Sequence, residues 1–158
     1  MHEVMGFDHS PHALVQAAFE NIAQAHMQNM PFLHPAMPVF VPPFSLFEEQ
    51  WAGCVLTPWT LSLTLFPGPR QVWPRRVVGE KIGLSLPCGE VMFTVGELEA
   101  VSQYCACSLM SPLAPALTVE QGTRLAQDCL RMALSLPVRD PQIGRRALFA
   151  RLQGAEHA

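Results

Sequence analysis

The stretch QWAGCVLTPWTLSLTLF, Gln50 to Phe66, holds two strand-like runs. In the second, from Thr60 to Phe66, Leu61, Leu63 and Leu65 alternate with Ser62 and Thr64, the period of a half-buried strand. The first runs from Gln50 to Thr57, and Pro58 and Trp59 stand between the two, so the pair is expected to form a hairpin. Downstream, Lys81–Leu86 and Glu90–Val95 read as a second hairpin around Pro87–Gly89, with Val91, Phe93 and Val95 on one side. Ser102–Met110 reads as a strand because Cys105, Cys107 and Leu109 alternate with Ala106 and Ser108. Between the hairpins, FPGPRQVWP (Phe66–Pro74) is expected to be a loop without regular hydrogen bonding, since it holds three prolines and a glycine.

Upstream of Gln50, five prolines between Pro31 and Pro43 exclude helix and leave an extended or edge-strand arm through Val39, Phe40 and Val41. A helix precedes it, from Ser10 to about Gln28. Ser10 is placed to cap it, Pro11 suits its first position, and Val15, Phe19, Ile22 and His26 form one stripe. At the other end a helix is expected from Thr118 to Leu136. Thr118 and Gln121 make a capping box, and Gly122, Ala126, Cys129, Ala133 and Leu136 share a face before Pro137 ends it. Helix, strands, helix is the order of an α+β fold: a mainly antiparallel sheet with an N-terminal and a C-terminal helix packed on one face, a two-layer sandwich. One domain over residues 1–138 is expected, then a flexible basic tail over 139–158.

Composition narrows the function. The chain has 158 residues, 49% of them hydrophobic and 15% charged, so polar surface is thin and some apolar surface is expected to remain exposed, as at partner sites. A net charge of −3 argues against nucleic acid, which calls for a basic stripe. Met1–Pro69 contains Glu3, Asp8, Glu20, Glu48 and Glu49 but no Lys or Arg, and such an acidic part suits a cationic peptide. No export signal and no run long enough to span a membrane is visible, and five cysteines without a CxxC pair fit reduced thiols, so a cytoplasmic protein is expected.

Chemistry beyond binding finds little support. Cys105 and Cys107 would share one strand face, but two thiols make half of a tetrahedral zinc shell, so they read as small buried hydrophobes. His2, His9 and His12 near Asp8 read as stray polar residues of a chain end. His26 and His34 sit in no catalytic motif, and there is no phosphate loop and no HExxH, so neither an enzyme nor a resident cofactor or metal is expected. Two acid–aromatic groupings stand out: Glu48 and Glu49 before Trp51, and Glu97 and Glu99 before Tyr104. Each reads either as a solvated turn whose aromatic enters the core, or as the cation partners and apolar floor of a peptide site. Trp73 stands beside Arg70, Arg75 and Arg76 in the proline-rich loop.

Six blocks in order, FLHPAMPVF from Phe32, FEEQWAGCVLTPW from Phe47, FPGPRQVWP from Phe66, EKIGLSLP from Glu80, FTVGELEAVSQY from Phe93 and CSLMSPL from Cys107, closely resemble the HybE family of hydrogenase accessory proteins. The resemblance spans about Gly6 to Phe149. It implies an α+β assembly chaperone for a nickel–iron hydrogenase that binds the twin-arginine signal peptide of the small-subunit precursor and delays export until maturation is complete. Contact with the large-subunit precursor is left open.

The residues set against that peptide are Glu48, Trp51, Trp59, Trp73, Glu97, Glu99 and Tyr104, with the three tryptophans expected to outweigh any single acid. Many relatives carry glycine where this chain has Glu49, so Glu48 is the acid the resemblance carries over. Some relatives are fused to a rubredoxin, whose CPxCG motif does not occur here. GRRALF, Gly144–Phe149, resembles the twin-arginine consensus itself and reads either as a solvated tail or as a mimic of the cargo. A metal- or cluster-handling accessory protein and a subunit retained in the finished enzyme are the competing classes.

Overall fold

The computed structural model describes residues 3–25, 33–87, 89–98 and 101–135. In chain order the elements are β1 (Glu3–Met5), α1 (His12–Ala25), β2 (Ser45–Phe47), β3 (Gln50–Leu56), β4 (Leu61–Phe66), β5 (Val72–Pro74), β6 (Lys81–Leu86), β7 (Gly89–Leu98), β8 (Ser102–Met110) and α2 (Val119–Ser135). Six strands form one sheet in the order β2-β3-β4-β8-β7-β6, every neighbouring pair antiparallel. Both expected hairpins are present: Leu56 faces Leu61 across β3–β4, and Leu86 faces Gly89 across β6–β7. The proline-rich arm runs beside β3, bridging at Phe40 and Leu56.

The antiparallel α+β class with both helices packed on the sheet is what the structure has, but the helices take opposite faces rather than one. Ala52, Cys54 and Leu56 of β3 and Leu61, Leu63 and Leu65 of β4 share a core with Ala126, Cys129 and Ala133 of α2. The intervening Trp51, Val55 and Phe66 share a second core with Val15 and Phe19 of α1 and Phe44 of the arm. Alternation places these two sets on opposite sides of the pleat. β3 and β4 are therefore almost wholly buried, which is why their apolar residues run nearly unbroken.

The capping box at α2 is formed: Thr118 N–H donates to Gln121 Oε1 at 2.9 Å, and Gln121 N–H donates to Thr118 Oγ at 3.0 Å. At α1, His12 N–H donates to Ser10 Oγ at 3.3 Å. Cys105 and Cys107 are buried side by side on the α2 face.

The expectation for Phe66–Pro74 needs correction. Its last three residues are β5, which pairs with β1 in a two-stranded ribbon, Val4 opposite Trp73. Such a ribbon needs only one line of hydrogen bonds, so prolines at 67 and 69 precede it and Pro74 ends it without blocking it. The last strand of the second hairpin also runs past Val95 to Leu98, which puts Glu97 in β7 rather than in a turn. The expectations for His26, Leu136, Glu99, the 139–158 tail and its GRRALF segment lie outside the described residues.

Candidate peptide-binding site

Three parts of the chain meet at one end of the sheet: the β1–β5 ribbon, the loop 67–71 that leads into it and the turn between β2 and β3. Two glycines allow the approach. A Cβ on Gly68 would lie 1.5 Å from the carbonyl oxygen of Glu49, and one on Gly6 would lie 1.7 Å from that of Gly68. Gln71 ties the segments together. Its Oε1 accepts from Gly68 N–H at 3.0 Å and from the Trp73 indole at 3.1 Å, while its Nε2 donates to the Glu48 carbonyl at 3.4 Å.

Fixed in this way, Trp73 packs against the α2-face core and walls a crevice of about 190 Å³. Ile82, Leu84, Val95 and Cys105 supply its apolar lining, and Gln50, Arg76 and Gln103 its polar lining. Pockets that enclose a whole small ligand run to about 300–1,000 Å³, so a space of this size suits one or two side chains of something larger. Val77 and Val78, exposed at 75% and 57%, follow Arg76 in the loop before β6.

The polar side is organised by Gln103, a side chain that is only 4% exposed. Its Nε2 donates to the Arg76 carbonyl at 2.6 Å and its Oε1 accepts from Arg76 N–H at 2.9 Å, so one amide holds both backbone groups of one residue. The neighbouring guanidinium groups meet carboxylates, Arg75 to Glu97 at 3.3 Å and Arg76 to Glu80 at 2.9 Å. Burial pushes the Cys105 thiol up, with Arg76 pulling it down and Glu80 adding to the rise. A thiol raised from an ordinary value of 9.0 stays neutral near pH 7, which makes it lining rather than nucleophile.

The expected site residues separate in this geometry. Trp73 and Glu97 stand at the crevice, Trp73 in its wall and Glu97 beside it through Arg75 and Gln103. Glu48 is exposed on the adjoining turn, where it and Glu49 have φ of 50° and 68°. Trp51 packs with the α1-face core instead, its indole donating to the Phe7 carbonyl at 2.9 Å. Tyr104 borders the crevice, but its ring stacks on Phe66 in that same core. Trp59 lies in the β3–β4 turn, at the other end of β3 from Glu48, and packs with the α1-face core. Glu80 and Gln103 were missed by the reading from residues alone. Gln103 had a signal: it is the polar member of the side of β8 that carries Cys105, Cys107 and Leu109.

Comparison with known proteins agrees with the architecture. A family model described as [NiFe]-hydrogenase assembly, chaperone, HybE matches residues 10–151. The Hydrogenase-2 operon protein HybE of Escherichia coli (strain K12) is 58% identical over 159 residues, covering 99% of this chain and 98% of that protein. The hydrogenase expression/formation protein HupT of Azotobacter chroococcum is 32% identical, over 87% of this chain and 93% of its own. The solution structure of HybE from Escherichia coli superposes with a TM-score of 0.73 at 59% identity, covering 90% of this chain and 88% of that one.

Proposed function

The chain belongs to the HybE family of [NiFe]-hydrogenase assembly chaperones, and from that premise we propose that it binds the twin-arginine signal peptide of a hydrogenase small-subunit precursor in the cytoplasm and delays export until maturation is complete. The observation that carries this reading is the Trp73 crevice, an apolar recess flanked by the carboxylates of Glu80 and Glu97. A twin-arginine signal offers the complementary order of groups, two guanidinium groups and then an apolar segment.

Magnitudes assign the parts. An exposed ion pair contributes about 0.2–1 kcal/mol, whereas micromolar binding needs about 8 kcal/mol. Most of the affinity therefore comes from burying the apolar segment against Trp73, Ile82 and Leu84, with the arginines setting register. The exposed valines at 77 and 78 lengthen the surface that such a segment covers. Among the described residues no helix is long and apolar enough to cross a membrane.

A pull-down comparing the small-subunit precursor with and without its signal peptide tests the assignment. Retention of the full precursor and loss of the truncated one is the expected result; equal retention of both would move the contact elsewhere on the cargo.

A further inference from the structure

The signal-peptide reading is the premise here: a cargo presenting two adjacent arginines followed by apolar residues. The chain carries the same chemistry itself. Pro74–Val78 reads PRRVV, and its two arginines occupy Glu97 and Glu80 at the crevice.

Several features set this segment apart from an ordinary structural loop. Both ion pairs are open to solvent, the four side chains being 38–51% exposed, so water and competing cations reach them. Val77 and Val78 follow the arginines yet remain outside the core, where an anchoring loop would bury its apolar residues. The backbone of Arg76, in contrast, is held on both sides by the buried amide of Gln103. Fixed backbone and open side chains together mean that the two guanidinium groups can swing away by rotation of their own side chains, without unfolding the loop.

We propose that Glu80 and Glu97 form the arginine-pair subsite of the peptide site, and that Arg75 and Arg76 fill it as an internal placeholder until a cargo's arginines displace them. The exchange replaces two guanidinium–carboxylate pairs with two of the same kind. Its net gain is small by construction, so the arginines of the cargo select register while the apolar segment beyond them decides occupancy. The free chaperone meanwhile presents no unpaired acids at this position to stray cationic peptides.

The test uses the full chain and two synthetic peptides, one carrying adjacent arginines before an apolar run and one with glutamines in their place. Arg75→Gln/Arg76→Gln should bind the arginine peptide about 2- to 30-fold more tightly than the wild type, as release of two exposed pairs requires, and its preference for that peptide over the glutamine one should rise by a similar factor. Glu80→Gln/Glu97→Gln should erase the preference between the peptides. In the wild type, the Arg75 and Arg76 Nε–Hε resonances should shift on titration with the arginine peptide and stay in place with the other, a readout that does not depend on the variants folding. Wild-type binding of the arginine peptide with no gain in the double arginine variant and no shift of those resonances overturns the placeholder and leaves the signal-peptide reading standing. Failure of the wild type to bind either peptide overturns both.

Discussion

Tyr104 lies flat on Phe66, their ring centroids 5.1 Å apart and their planes 6° from parallel, while Phe19 meets Tyr104 in a T-shaped contact with centroids 6.5 Å apart. The stack joins β8 to β4 and both to α1. An aromatic following a pair of acids therefore seats a helix here while it borders the crevice. Tyr104→Ala should cost about 2–4 kcal/mol, the range of a large aromatic truncation at a partly buried site, read as a lowered midpoint in urea unfolding. The folded fraction of that variant should still bind signal peptide.

Glu48 and Glu49 fill both central positions of the β2–β3 turn with positive φ, a backbone that costs an L-residue about 1–2 kcal/mol and glycine almost nothing. Glu49→Gly should therefore raise stability by about 0.5–1 kcal/mol after the extra flexibility of the unfolded chain is counted. A denaturation midpoint unchanged or lowered would show that the turn is not strained.

Alkaline pH should weaken the fold. The Cys54 thiol is pushed up by its hydrogen bond to Cys129 and by burial, Cys105 is pushed up by burial, and Tyr104 is pushed up by burial, from ordinary values of 9.0, 9.0 and 10.0. A group with a raised folded pKa keeps its proton in the native chain while the unfolded chain loses it, so stability is full below the unfolded pKa and falls as pH rises through the folded one. Urea midpoints should be flat from pH 7 to about 8.5 and decline above about 9. Tyr104→Phe should flatten the part of the decline above about 10.

The reciprocal cap at Thr118 and Gln121 leaves two donors satisfied at the start of α2. Thr118→Ala removes one and should cost about 1 kcal/mol, seen as a fall of a few degrees in Tm. Thr118→Ser should restore most of it.

Much of this fold is legible in the chain because local chemistry and tertiary packing agree. Leu61, Leu63 and Leu65 alternate and are buried together; Thr118 and Gln121 cap; Cys105 and Cys107 behave as small hydrophobes. The ribbon was not legible, since β1 and β5 are three residues each, lie far apart in sequence and depend on the close approach of Gly6, Gly68 and Glu49. The β2–β3 turn was hidden for another reason: Glu-Glu lacks the Asn-Gly signature of a turn with two left-handed residues. Opposite placement of the helices follows from apolar residues on both faces of β3, a pattern that reports burial without saying what covers each face. In the site, Trp51, Trp59 and Tyr104 share composition with Trp73, but the registers of β3 and β8 and the β3–β4 turn set them against the α1-face core.

Signal-peptide affinity in Trp73→Ala, set beside that in Glu48→Gln, bears most directly on the crevice. Titration of the small-subunit signal peptide should show micromolar binding to the wild type, a loss of about tenfold or more in Trp73→Ala as for a central aromatic anchor, and a change under about fivefold in Glu48→Gln. Full affinity in Trp73→Ala, or a larger loss from the glutamate, would contradict an apolar grip centred on Trp73.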